Sequence, residues 1–244
     1  MDVKILKVSN NFIFVRKPAG LPSTYKNCED NSNCAVKQVT AMFPDLLFVE
    51  GYNSREGGLL YRLDNDTAGL LVFCRTNKVF DEYSHKQNSL VLYKRYFAVV
   101  DILDMNFLKF NFPKYNIECL KTVFDDNWCE KIDPYSKFNY KKDSNSVFNV
   151  ISFKIKHKSQ KRMEVIKSRV DFNYSTYFKI IEVIKNSALV DIYIKKGMRH
   201  QIRVHFKSIG FPIVVDTLYN SRYKKNKTSD ENKLALFCRG IYTN

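Results

Sequence analysis

The sequence predicts an α+β protein: a single catalytic-size domain built on a largely antiparallel mixed β-sheet with flanking helices and loops. Three observations carry that expectation. Apolar runs of strand length outnumber stretches of helical periodicity, the connections between them are short, and neither an internal repeat nor a linker divides residues 1–244.

The elements follow in order. Phe12-Ile13-Phe14-Val15 reads as a strand, ended by the two prolines and the glycine of Lys17-Pro18-Ala19-Gly20-Leu21-Pro22. From Cys34 to Phe43, apolar Ala35, Val36, Val39, Met42 and Phe43 recur at helical spacing, with Asn33 placed as the N-cap and Pro44 stopping the run. Leu70 to Cys74 is a short buried strand, after which Thr76 caps a helix that turns Val79, Phe80 and Tyr83 inward. Tyr96 to Val100 is another strand. Residues 101–148 mix Lys, Asn, Asp and aromatic residues without sustained period and predict no element. Strand spacing returns in Ile151-Phe153-Ile155, in Tyr177 to Ile181 and in Val190-Ile192-Ile194. Gly197 then turns the chain into a helix whose Ile202, His205, Phe206 and Ile209 follow i, i+3, i+4, i+7, with Gly210 just past its end.

Composition narrows the function. Forty Lys plus Arg against 25 Asp plus Glu leave a formal net charge of +15, which favours a polyanionic partner, nucleic acid first. Plentiful Lys, Asn, Ile, Phe and Tyr also fit a bias of genome composition, so that reading stands beside the first. No apolar stretch approaches the roughly 20 residues that span a bilayer, and Met1-Asp2-Val3-Lys4 does not open a signal peptide. A cytoplasmic monomer without membrane contact is expected. The six cysteines form no C-x-x-C pair and the four histidines add no ligand spacing, so reduced thiols and no metal are expected. Ser221 to Lys233, with Lys224, Lys225 and Lys227, reads as a basic loop.

Two polar islands interrupt the apolar pattern. In "EGGLLYRLDNDTAGLLVFC", residues 56–74, Arg62, Asp64, Asn65, Asp66 and Thr67 are wedged between two apolar runs. Taken alone they also read as solvated turn residues. In "KKGMRHQIRVHFKSIGFPIVVD", residues 195–216, His200, Gln201 and Arg203 open a helix entered from a buried strand. Arg203 lies beside the core-facing stripe, where a guanidinium calls for a carboxylate. The alternative is an arginine whose head reaches solvent.

With those residues in view, "YRLDNDTAGLLVFCRT" resembles the H-R-L-D-x-x-T-S-G-L-L-L-F-A segment of the RluA-type pseudouridine synthases, and "GMRHQIRVHFKSIGFPIVVDTLY" resembles their G-R-x-H-Q-I-R-x-H-L-x-x-x-G-x-P-I-x-G-D-x-x-Y segment. "FVRKPAGLPS", "YKRYFAVV" and "KLALFCRGIYT" are similar to further family segments, in the same order; residues 101–148 lie outside the likeness. The chain departs from the family at Tyr61 (usually His), Ala68 (Ser), Met198 (Arg), Val215 (Gly), Thr217 (often Pro) and Phe237 (His). The resemblance implies the pseudouridine synthase fold over 1–244, with no separate N-terminal RNA-binding module. It also implies isomerisation of uridine in structured ribosomal or transfer RNA, without a cofactor.

By the same resemblance, Asp64 supplies the catalytic carboxylate, Tyr96 the flat face for a flipped base, and Arg203 the cation that keeps Asp64 charged. Tyr96 also reads as a core residue of its strand. Arg62 is expected to face RNA at the rim, with Lys94 beside Tyr96 as a further substrate-binding residue. His200 and Gln201 line the site or make local bonds at the helix start. Val215 and Thr217 point to an altered turn before Asp216. A weakly active RNA-binding ribosome-assembly protein on the same scaffold is the alternative function.

Overall fold

The computed structural model describes residues 1–27, 30–103, 149–223 and 233–243. Most of the segment 101–148, and the basic-loop residues Lys224, Lys225 and Lys227, lie outside the described residues. The chain divides into two compact units, 1–94 with 226–244, and 95–225.

The first unit is a mixed sheet with two helices. β1 (Lys4–Val8) pairs antiparallel with β2 (Phe12–Lys17), and β2 antiparallel with β3 (Ala68–Cys74). A bulge between Ile5 and Lys7 breaks the register of β1. The C-terminal strand β10 (Leu236–Thr243) runs parallel to β3 through Phe237 opposite Ala68 and Cys238 opposite Gly69. Gly69 has φ +127°, and a Cβ on it would sit 2.2 Å from the Cys238 carbonyl oxygen, so only glycine admits this approach. β2 alternates strictly, burying Ile13, Val15 and Lys17.

Helix α1 (Ala35–Met42) buries Ala35, Val36, Val39 and Thr40. Its N-cap is Cys34, whose Sγ accepts from the Lys37 N–H at 3.4 Å, in place of the expected Asn33. The Asn33 side chain instead accepts from Gln38 at 2.9 Å. Helix α2 (Asn77–Asn88) is capped by Thr76 as expected, with Oγ1 accepting from Val79 N–H at 3.3 Å.

The second unit takes in most of β4 (Leu92–Asp101), followed by β5 (Asn149–Ile151), β8 (Thr176–Ile184) and β9 (Ser187–Ile194). β9 lies between β4 and β8, and β5 pairs antiparallel with β8 on its far side. Two strands, β6 (Phe153–Ser159) and β7 (Arg162–Val170), form an antiparallel ribbon of their own. The single strand expected over Ile151-Phe153-Ile155 is thus divided between two sheets. Ser152 marks the switch: its carbonyl accepts from Asp171 N–H at 2.7 Å and its hydroxyl meets the Ser175 hydroxyl at 2.7 Å. Helix α3 (Gln201–Ser208) packs Phe206 edge-on to Phe178, with ring centroids 5.1 Å apart. Ile155, Met163, Val204 and Tyr219 form a core cluster joining the ribbon to this helix. Gly210 follows α3 at φ +81°, the left-handed residue that the sequence placed there.

Candidate active site

In the first unit the acidic turn is fastened to the loop after β2. Ser23 Oγ donates to the Leu63 carbonyl at 2.8 Å and accepts from its N–H at 2.9 Å, and Gly20 N–H donates to the Asn65 carbonyl at 2.8 Å. Thr67 N–H closes the turn on the Asp64 carbonyl at 3.0 Å. These contacts leave Asp64 half-buried, while Leu63 and Thr67 on either side are buried.

Beneath the turn lies Lys17, which is fully buried. Its ammonium donates to the carbonyls of Pro18 at 3.0 Å, Leu21 at 2.6 Å and Asn65 at 3.0 Å, using all three protons. Burial draws the Lys17 pKa down to about 8, and the carboxylates of Asp64 and Asp66 act against that shift. The coupling is mutual, so a cation stands ready to favour ionised Asp64. Sequence reasoning assigned Lys17 no role. The signal was a lysine on the inward parity of an alternating strand.

Arg62 is exposed and holds Glu56 at 3.0 Å. Glu56 is itself buried, and its Oε2 has no hydrogen-bond partner among the described residues. This carboxylate was not anticipated. Lys94 is buried, with Nζ 5.5 Å from the centroid of the Tyr61 ring; desolvation lowers its pKa to about 8, opposed by the Cys238 thiol. The Tyr61 hydroxyl donates to the Leu70 carbonyl at 2.8 Å and lies 3.9 Å from Cys238 Sγ. Cys34, Cys74 and Cys238 are free and buried, and burial pushes the Cys74 thiol up to about 12.

In the second unit, Tyr96 is buried on β4 at 6% exposure. Its neighbour Arg95 grips Asp191 with two bonds of 2.8 Å. His200, Gln201 and Arg203 come together at the start of α3, all buried. Arg203 is bound at two points by Asp216, Nε to Oδ2 and Nη2 to Oδ1, each 2.8 Å. Asp216 is a carboxylate partner of this guanidinium that the sequence reading did not contain. Asp216 Oδ1 also accepts the backbone N–H groups of Leu218 at 3.0 Å and Tyr219 at 3.1 Å. Val215 adopts the left-handed conformation, φ 59°, at the place where the resembling family has Gly.

Gln201 spends its amide locally. Oε1 accepts from Met198 N–H at 2.9 Å, and Nε2 donates to the carbonyls of Tyr174 at 2.9 Å and Ser175 at 3.2 Å and to Thr176 Oγ1 at 3.3 Å. Only the bond from Met198 is local to the helix start; the other three reach residues 174–176. His205 continues the chain: Nδ1 meets Thr176 Oγ1 at 2.9 Å and Nε2 meets the Phe153 carbonyl at 2.9 Å. A carbonyl only accepts, so the proton sits on Nε2 and Nδ1 accepts from the threonine. Tyr219 Oη accepts Met163 N–H at 2.8 Å and is hydrogen-bonded to His200 Nδ1 at 2.7 Å. Burial, then the charges of Arg203 and Arg199, draw the His200 pKa down to about 4, so its ring is neutral near pH 7. Among the described residues no group of His, Cys, Asp or Glu could hold a metal ion, and no helix is long and apolar enough to cross a membrane.

The chain belongs to the RNA pseudouridylate synthase family, whose model matches residues 11–208. It is 25% identical over 236 residues to the "Uncharacterized RNA pseudouridine synthase YlyB" of Bacillus subtilis (strain 168), covering 97% of this chain and 62% of that protein. It is 25% identical over 192 residues to the ribosomal large subunit pseudouridine synthase D of Blochmanniella floridana, covering 78% and 46%. The chain thus spans less than two thirds of the length of these relatives. Among solved structures, human RNA pseudouridylate synthase domain containing 4 is similar in fold, with a TM-score of 0.59 at 18% identity, covering 97% of this chain and 82% of that one.

Proposed function

We propose that the chain is an RNA pseudouridine synthase that isomerises particular uridines of structured RNA. The observation that carries this reading is the turn: Asp64 half-buried over the ammonium of Lys17, in a chain of this family. The reaction is balanced within the substrate. The N1–C1′ bond breaks, the base turns while held, C5 bonds to C1′, and the proton lost from C5 is matched by one gained on N1, so no cofactor is called for. Asp64 stays ionised and meets the sugar carbon, as nucleophile or as the charge that stabilises it.

The other roles follow the resemblance. The target base leaves its stack, at a cost of a few kcal/mol. Tyr96 offers the ring on which it rests and assists at C5, Arg203 supplies the cation that keeps Asp64 charged, and Arg62 meets RNA from the exposed surface. Lys94 and His200 are substrate-side residues of the same reading, with His200 as a neutral hydrogen-bonding ring. The two compact units act as one catalytic domain, as a monomer in the cytoplasm. Three matched relatives carry ribosomal large subunit names, which makes ribosomal RNA the first substrate to test and transfer RNA the second.

The test is Asp64→Asn, nearly isosteric. Pseudouridine would be mapped in ribosomal and transfer RNA from cells carrying the wild-type gene, the variant, or neither. The expected result is a set of sites present only with wild type. Sites equally modified by the variant would overturn the assignment.

A further inference from the structure

We propose that the β6–β7 ribbon, residues 153–170, is an arm that lies along the sugar–phosphate backbone of the RNA substrate; this rests on the function proposed above. The ribbon holds seven Lys or Arg (Lys154, Lys156, Lys158, Lys161, Arg162, Lys167, Arg169) against one acid, Glu164. Eighteen residues therefore carry six of the fifteen net positive charges of a 244-residue chain. All seven cationic residues are exposed. Surface lysines spread evenly would need no explanation; this concentration on one two-stranded element does.

The register shows how the charge is displayed. Ile155 stands opposite Val165 and His157 opposite Met163, and Ile155 and Met163 belong to the cluster against α3, so this face turns inward. Lys154 opposite Ile166 and Lys156 opposite Glu164 occupy the other face. Lys158 joins them, because Glu164 bridges Lys156 and Lys158 at 3.1 Å each. Among the described residues no carboxylate pairs with Lys154, Lys161, Arg162, Lys167 or Arg169. A strand of this length runs about 24 Å, enough to follow several successive phosphates.

The arm is also fixed in place. Its inner face is tied by the Phe153 carbonyl to His205 and by Met163 N–H through Tyr219 to His200, both on or beside α3. A ribbon serving only to cover a core needs its inner face and no particular charge outside. One that is hydrogen-bonded to the helix of Arg203 and cationic outside delivers a polyanion at a set distance from that helix. Contacts of this kind position RNA and carry no base sequence.

The experiment uses the full chain with Lys154, Lys161 and Lys167 changed together to Ala, which spares the Glu164 bridges. A charge-matched control changes exposed Lys26, Lys37 and Lys78 to Ala. Binding is titrated against salt with a labelled RNA stem–loop, and turnover is followed on total RNA from cells lacking the gene. With each phosphate contact worth roughly 0.7–0.9 in the slope of log K against log salt, the arm variant should lose about 2 from that slope. Its Kd and KM should rise tenfold or more with kcat at saturating RNA within twofold, and the control should stay near wild type. An arm variant equal to wild type, or a control equally impaired, would overturn the arm alone. Wild type that neither bound RNA nor formed pseudouridine would overturn the function on which the arm rests.

Discussion

Arg203 and Asp216 face each other through two bonds of 2.8 Å, with side chains 2% and 0% exposed. Two charges so far from water are held by geometry: a planar fork meets a carboxylate that also takes two backbone N–H groups. Asp216→Asn removes the carboxylate charge facing this buried guanidinium and should cost about 3–5 kcal/mol in urea unfolding. Arg203→Met with Asp216→Asn, which removes both charges while the Asn oxygen still accepts the two backbone N–H groups, should cost clearly less than Asp216→Asn alone.

Lys17 joins the loop after β2 to the acid turn. Lys17→Met leaves the carbonyls of Pro18 and Leu21 without this donor and Asn65 with only that of Gly20, and loss of buried partners on this scale should destabilise by about 2 kcal/mol or more. The rate of pseudouridine formation should fall by more than the loss of folded protein accounts for, because the cation beside Asp64 goes too. Wild-type turnover per folded molecule would remove Lys17 from the account.

Lys94 gives a pH signature. Its pKa falls from 10.5 unfolded to about 8 folded, so between those values the unfolded chain binds more protons and stability rises with pH. Below pH 8 the burial cost of the charged form is felt in full; above 10.5 it is gone. Lys94→Met lacks this cost. Its stability relative to wild type should therefore be greatest near pH 7, by about 3 kcal/mol before packing changes, and shrink as pH approaches 10. Paired urea titrations at pH 7, 8.5 and 10 check the trend.

Val215 is β-branched at φ 59°, a conformation that costs a residue of this shape about 1–2 kcal/mol. Val215→Gly relieves the strain while loosening the unfolded chain and losing some half-buried surface, for a net gain of about 0.5–1 kcal/mol. A rise in Tm of about 1–4 °C is the expected reading. A fall would mean that the side chain contributes more by packing than its backbone costs.

What the sequence revealed depended on how strongly burial imposes a period. β2 has one covered face, so its alternation is written into Ile13 and Val15; α3 buries Gln201 to Phe206 in succession, and only its apolar members such as Ile202 and Phe206 stood out as a stripe. The β6–β7 ribbon was half missed because its outer face is lysine-rich and its inner face rests on only a few apolar residues, among them Ile155 and Met163. No signal in Ile151-Phe153-Ile155 marks the change of sheet at Ser152. The cap at Cys34 was assigned to Asn33 because thiols are weak acceptors, while Asn33 found a side-chain partner in Gln38. At the site, the acid turn and the start of α3 were legible as polar residues in apolar surroundings. Lys17, Glu56 and Asp216 were not, since each takes its meaning from a partner brought near by folding.

The bulged rim strand β1 has a bearing on handling the protein. Five residues long, kinked between Ile5 and Lys7 and bearing exposed Lys4 and Lys7, it offers a poor template for hydrogen bonding by a neighbouring copy. Concentrated samples are thereby guarded along this margin against growing into fibrils.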